Sequence, residues 1–296
     1  MKSIFITGAN GFVGKHIINS FNGNYLFTLF DRNSELKFSH DIILHFAGLA
    51  HDTKNILLPE EYYTSNTDLT KIVFDSFLES DAKVFITLSS VKAVADKCEG
   101  ELSEDFISNP LTHYGKSKLL AENYIFSQKI PSGKRVYVLR PCMIHGPFNK
   151  GNLNLLYSIV SNGLPWPLGL FENSRSFLSI ENLCFVIREL LERVDIESGV
   201  YNVADDIPLS TNEIIEMIAN SKGKKVKILN LNTKLVKLLA RIGDFLKLPL
   251  NSERLLKLTE SYVVSNAKII KALGKPLPVS SKDGLIRTFK SFSDNV

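Results

Sequence analysis

Tyr114 and Lys118 stand four positions apart in the run HYGKSK, downstream of a serine pair, Ser89 and Ser90. That spacing puts two side chains on one face of a helix. A tyrosine with a reference pKa of about 10 is a poor base at neutral pH. An ammonium beside it stabilises the phenolate and lowers that value. The phenolate can then take a proton from a hydroxyl, or return one, while hydride moves to or from a bound acceptor. The Ser90 hydroxyl is placed to hold the same substrate oxygen. The spacing is common, and alone it also describes two exposed helix residues and a strand-end serine. The surrounding elements decide between these readings.

The first of those elements is the run Thr7-Gly8-Ala9-Asn10-Gly11-Phe12-Val13-Gly14. It joins a short apolar, β-rich stretch (3–7) to a helical one (12–21). Such a turn needs a residue tolerant of unusual φ, a backbone without Cβ against a pyrophosphate, and close helix–sheet contact. The helix start then offers unpaired N–H groups to phosphates. Gly8, Asn10, Gly11, Phe12, Val13 and Gly14 are therefore cofactor candidates. A second strand (25–30) ends at Asp31, whose carboxylate suits the adenine ribose hydroxyls and favours NAD over NADP. Arg32 follows directly and suits the 2′-phosphate of NADP instead.

Further apolar runs continue the alternation. Strands are expected at 41–47, 84–88 and 135–139, the last broken by Pro141, and helices at 67–78 and 114–128. Near-continuous apolar strands alternating with helices predict an α/β fold with a Rossmann-like, doubly wound parallel sheet. After Gly146, prolines and glycines crowd together (147–169), as in a loop-rich lobe. Helices follow at 181–194 and 211–220, the latter capped by Ser210 or Thr211, with a strand near Val200. The expected organisation is a dinucleotide domain over 1–146, joined by pieces from about 178–204. A smaller, interleaved C-terminal substrate lobe fills 147–296. Residues 233–248 carry one apolar face (Leu235, Leu238, Leu239, Ile242, Phe245, Leu246) and a basic remainder (Lys234, Lys237, Arg241, Lys247). Packing of that face on the lobe core is expected; a place on a membrane surface is the other reading.

Bulk properties exclude several classes. The chain has 296 residues, 44% hydrophobic, with a formal charge of +4. No basic stripe suggests nucleic acid, and the cluster Lys222–Lys225 reads as a solvated turn. No apolar run is long enough to insert stably in a membrane. Cys98, Cys142 and Cys184 are few and widely spaced, so no metal site or disulfide framework is expected and a reducing cytoplasm fits. The opening run reads as strand and turn rather than a signal peptide. The histidines are scattered, with His45 expected as a satisfied core residue. Trp166 suits either a sugar pocket or a buried loop anchor.

The runs TGANGFVG, HFAGLAH, LSSVKAVAD, YGKSKLLAE, LRPCMIHGP and SRSFLSIENL together resemble an extended short-chain dehydrogenase/reductase of the nucleotide-sugar epimerase/dehydratase branch. The resemblance spans nearly the whole chain. It implies that Ser90, Tyr114 and Lys118 are catalytic and that Lys118 also holds the nicotinamide ribose. Phe46, Ala47 and Gly48 would run under the cofactor, and Asn66, in a helix start, would support the active-site helix. Arg175 would hold a substrate diphosphate, with Arg254 as a second arginine, Asn152 or Asn154 beside the nucleotide sugar, and Lys92 at the substrate. The substrate implied is a UDP-sugar, oxidised and reduced at C4 with NAD, or with NADP as the other possibility. An epimerase returns the hydride; a 4-ketoreductase consumes it, and the SSVKAV form is similar to reductases of UDP-linked 4-keto-N-acetylhexosamines. A non-catalytic nucleotide-binding regulator is the remaining alternative. Homodimers through the helices after Asn66 and Tyr114 are implied; the apolar face at Leu69, Val73 and Phe77 permits that, or is simply core. The chain departs from the pattern in its short Asp31–Asp41 connection, in Lys92-Ala93-Val94 after the serines, and in Cys142, where asparagine is frequent.

Overall fold

The strands of this chain are apolar without interruption because both of their faces are covered. Ile4 and Ile6, Ile42 and Leu44, and Ile86 pack to one side, while Phe5, Ile43, Phe85, Val136 and Val138 pack to the other. The structure, a computed structural model, describes residues 1–30, 39–50, 58–149, 152–246 and 251–293. Asp31, Arg32 and the Asn152 side chain lie outside the described residues.

The chain runs β1 (Lys2–Thr7), α1 (Phe12–Phe21), β2 (Tyr25–Leu29) and β3 (Ile42–His45). Then come α2 (Pro59–Tyr62), a π-helical turn (Tyr63–Asp68), α3 (Leu69–Glu79), β4 (Val84–Leu88) and a 3-10 turn (Val91–Ala93). Next are β5 (Glu101–Leu102), α4 (His113–Ser127), β6 (Arg135–Pro141), β7 (Met143–His145), α5 (Asn152–Ser161) and β8 (Phe177–Ser179). The remainder is α6 (Ile180–Glu192), β9 (Gly199–Val203), α7 (Thr211–Ser221), α8 (Thr233–Leu246), α9 (Ser252–Thr259), β10 (Val263–Val264), α10 (Ala267–Leu273) and α11 (Ser281–Ser293).

Six strands form one parallel sheet in the order β2-β1-β3-β4-β6-β9. Order reverses at β1, so the glycine turn opens beside the C-terminal end of β3, where such sheets bind ligands. α1 and α6 cover one face, and α3 and α4 the other. A separate core gathers α5, α7, α11 and parts of α8 and α9 around Trp166, Phe177, Ile215 and Phe289. Trp166 is a buried anchor of that lobe, donating from Nε1 to Asn212 Oδ1 at 2.8 Å.

Four expectations are corrected. The helix expected over 67–78 begins at Pro59 and passes through the π-helical turn, so Asn66 sits inside a continuous helical segment rather than at its start. Pro141 does not break β6; it is the last residue of the strand, opposite Val203. Val73 and Phe77 are fully buried in the sheet core, so the face proposed for self-association is core. The apolar face of α8 is not what the lobe buries: the helix is seated through Val236, Ala240 and Gly243.

Phe74 is fully buried, edge-on to Phe85 at 5.0 Å and tilted on Phe77 at 5.8 Å. Phe74→Ala is expected to lower unfolding free energy by about 3–5 kcal/mol, read from urea denaturation.

Candidate active site

Ser90 ends the stretch after β4, and its extended backbone lets it cap the 3-10 turn, with Oγ accepting from the Lys92 N–H at 3.2 Å. Tyr114 lies on the first turn of α4, with the Ser90 hydroxyl close enough to act on its phenol. The Tyr62 ring stands edge-on to it at 6.1 Å. Lys118, one turn on, donates from Nζ to the Leu88 carbonyl at 3.0 Å. The three residues expected to do chemistry are thus brought together at the C-terminal end of β4.

Two features set that geometry. Asp96 accepts from the Leu111 N–H at 2.6 Å and from the Thr112 N–H and hydroxyl at 3.2 and 3.1 Å, while Thr112 caps α4. Gly115 lets the helix lie on the serine turn: a Cβ there would sit on the Lys92 carbonyl and 2.8 Å from Pro110.

Below the site lies a buried ion pair. Arg140 Nε donates to both Glu122 oxygens, at 3.0 and 3.1 Å, and its terminal nitrogen to Oε2 at 2.5 Å. Ser89 donates its hydroxyl to the same carboxylate. Glu122 stands four residues after Lys118, and its carboxylate is turned onto β6.

Electrostatics follow from burial. Desolvation pushes the Tyr114 phenol above its ordinary value, against the lowering effect of the Ser90 hydrogen bond. The expected depression of Tyr114 by Lys118 is not found: the phenol is raised, and Ser90 is the one group that lowers it. Desolvation also brings Lys118 down to about 8, partly opposed by Glu122.

The glycine turn is shaped for close approach. Gly8 adopts φ +73°, and a Cβ on it would lie 2.5 Å from the Phe46 carbonyl carbon. Gly11 and Asn10 are exposed at the mouth of the turn, while Phe12 and Val13 are half-buried at the start of α1. Phe46 and Ala47 continue from β3, and a Cβ on the next residue, Gly48, would lie 2.6 Å from Asn66 Oδ1 and 3.2 Å from Lys118 Nζ. A bare backbone cradle therefore runs from the glycine turn to the lysine, as a dinucleotide requires. Asn66 clamps its far end, accepting from Leu49 N–H at 2.8 Å and donating to the Leu49 carbonyl and to Ser117 Oγ, both at 3.1 Å.

A buried chain ties this cradle together. The Ala47 N–H donates to Thr7 Oγ1 at 3.0 Å, and Thr7 meets His45 Nδ1 at 2.8 Å. His45 Nε2 meets Thr70 Oγ1 at 2.9 Å, and Thr70 donates to the Asn66 carbonyl at 2.7 Å. Burial holds His45 down at about 3, so the ring is neutral. With the Thr70 proton already committed, Nε2 carries the hydrogen and Nδ1 accepts.

On the lobe side, Arg175 donates to the Lys257 carbonyl at the end of α9, and its backbone bridges Leu209 and Tyr262. Lys92 donates to the Asp96 carbonyl at 2.6 Å and lies 4.1 Å over the Tyr262 ring. Tyr262 donates to the Val91 and Ala95 carbonyls, so it joins the Arg175 segment to the serine turn. Burial lowers the pKa of Lys92, and Arg175 adds to that depression. Arg254 is exposed on α9, one turn before Lys257, with its N–H on the Asn251 cap. Asn154 donates to the Asn149 carbonyl at 2.8 Å. Cys142 is buried, its thiol pushed well up by desolvation. Among the described residues no group of acidic, histidine and cysteine side chains is arranged to hold a metal.

Residues 4–204 match the NAD dependent epimerase/dehydratase family. The chain belongs to that family. It is 29% identical to a UDP-glucose 4-epimerase from Vibrio cholerae, over 98% of this chain and 95% of that protein. It is 26% identical to an N-acetyl-alpha-D-glucosaminyl-diphospho-ditrans,octacis-undecaprenol 4-epimerase from Escherichia coli O157:H7, over 77% and 75%. Its fold is that of a UDP-glucuronic acid 4-epimerase from Bacillus cereus solved with NAD: TM-score 0.76, 20% identity, 99% of each chain covered.

Within this epimerase/dehydratase site, sequence reasoning passed over Asp96, Gly115, Glu122, Arg140 and Tyr262. Each acts through partners distant in sequence; Asp96, Gly115, Glu122 and Arg140 lie inside the quoted runs, and Tyr262 lies outside them.

Gly115→Val is expected to push α4 off the serine turn and lower kcat at least about 10-fold with cofactor affinity little changed, measured by steady-state kinetics and nucleotide titration. Lys118 gives a second expectation. Between about 8 and its ordinary 10.5, the unfolded chain binds more protons at this side chain than the folded one. Stability from this group therefore rises with pH across that window. The difference in urea midpoint, wild type minus Lys118→Met, should increase from pH 8 towards 10.5.

Proposed function

We propose that the protein is an NAD-dependent 4-epimerase of a UDP-sugar. The observation that carries this reading is the gathering of Ser90, Tyr114 and Lys118 at the end of a bare backbone cradle. Bound NAD would supply a hydride acceptor and a positive charge that favours the phenolate. Residues 8–14, 46–48 and Asn66 would hold it, with Lys118 at the nicotinamide ribose.

Ser90 Oγ orients the C4 oxygen. Tyr114 Oη takes the C4 hydroxyl proton as the C4 hydride departs, and gives the proton back after the hydride returns to the opposite face of the turned sugar. Lys118 stabilises the phenolate. Arg175, with Arg254 and Lys92, suits the substrate diphosphate by charge. Asn152 and Asn154 stand on the sugar side in this reading. The 4-epimerase relatives from V. cholerae and E. coli favour a returned hydride over a consumed one.

The test incubates purified protein with UDP-glucose, UDP-N-acetylglucosamine and their 4-keto-6-deoxy derivatives while absorbance follows the reduced nicotinamide. Interconversion of C4 epimers without net cofactor change is expected. Stoichiometric loss of NADH or NADPH with a keto sugar would instead make it a 4-ketoreductase. Tyr114→Phe should lower turnover by roughly 10²–10⁴-fold and leave NAD binding intact. Absence of turnover on every substrate would leave a nucleotide-binding regulator.

A further inference from the structure

An amphipathic helix of a globular protein ordinarily turns its apolar face to the core. α8 does not. At about 100° per residue, its buried positions Val236, Ala240 and Gly243 share one narrow arc. Leu235, Leu238, Leu239, Ile242, Phe245 and Leu246 form a strip centred roughly 130° away on the same scale. All six are exposed, Leu238 by 54% and Phe245 by 88%. The opposite flank carries Lys234, Lys237 and Arg241, also exposed. The single acid of the helix, Asp244, is engaged by the Ser252 N–H at 2.8 Å and hydroxyl at 2.5 Å, which ties α8 to α9.

A small-residue seat, a continuous outward strip of large apolar side chains and a basic flank describe a helix lying in the plane of a lipid interface. Scattered exposed leucines need no explanation, but one contiguous strip does. We propose that α8 docks the protein on an anionic membrane surface. The strip enters the acyl boundary, and Lys234, Lys237 and Arg241 face the lipid phosphates. Charge argues for lipid over a second copy of the chain. A two-fold contact through this strip would gather the same three cations of both chains at its rim. No helix among the described residues is long and apolar enough to cross a membrane, so the association is peripheral.

Flotation of the full chain with phosphatidylglycerol–phosphatidylcholine vesicles, and with phosphatidylcholine alone, tests this. Wild type should float with the anionic vesicles and be released by salt. Leu238→Glu with Ile242→Glu, and separately Lys234→Glu with Lys237→Glu, should each lower binding at least about tenfold. Val194→Glu, at an exposed apolar site elsewhere, should not. Turnover of soluble UDP-sugar should be unchanged in these variants, and Tyr114→Phe should still float, so the docking and catalytic readings fail separately. Wild type remaining soluble beside anionic vesicles would overturn the proposal, as would strip and charge variants that bind normally. So would a wild-type dimer that ignores vesicles and becomes monomeric on Leu238→Glu with Ile242→Glu.

Discussion

The site rests on one buried ion pair. Glu122 and Arg140 are nearly inaccessible, and together with Ser89 they pin the middle of α4 to the ends of β4 and β6. A buried pair of this kind adds little net stability, but removing one partner strands a charge in the interior. The pair therefore acts as a register lock. With α4 held there, Lys118 reaches the Leu88 carbonyl and Tyr114 reaches Ser90. Asp96 then sets where the helix begins, and Gly115 sets how closely it lies on the serine turn. Small displacements at any of these three points are felt at the reacting oxygen, since proximity effects are steep.

The cofactor side is organised by a different device. The π-helical turn widens the helix at Asn66, which frees that side chain to clamp Leu49 and Ser117. Such bulges recur at functional sites. The neutral His45 chain links Thr7, at the glycine turn, to Thr70 and so to Asn66. The cradle and the start of α3 are thereby coupled through a chain of neutral hydrogen-bonding groups.

The lobe carrying Arg175 is attached through Tyr262. Its backbone pairs with residues 174–176 and its hydroxyl reaches the serine turn. The pairing of β10 with β5 adds a second seam. The interleaving in sequence has a physical purpose: Arg175 and Lys92 belong to segments far apart in the chain, and a single tyrosine brings them to one wall.

Local chemistry determines the parallel sheet, the glycine turn and the Tyr-Lys face from the sequence alone. Apolar runs, turn residues and i,i+4 spacing are properties of neighbours in the chain. The resemblance supplied Asn66 and Arg175 by their runs. Long-range choices were not legible. Glu122 faces Arg140 rather than Lys118, Val73 and Phe77 are core rather than interface, and Pro141 closes β6 instead of ending it early. The same holds for α8, whose two-faced composition is plain from residues 233–246. Only packing decided that small residues make its seat and that its large apolar side chains look outward, because amphipathicity says that a helix has two faces and not which one the rest of the protein covers.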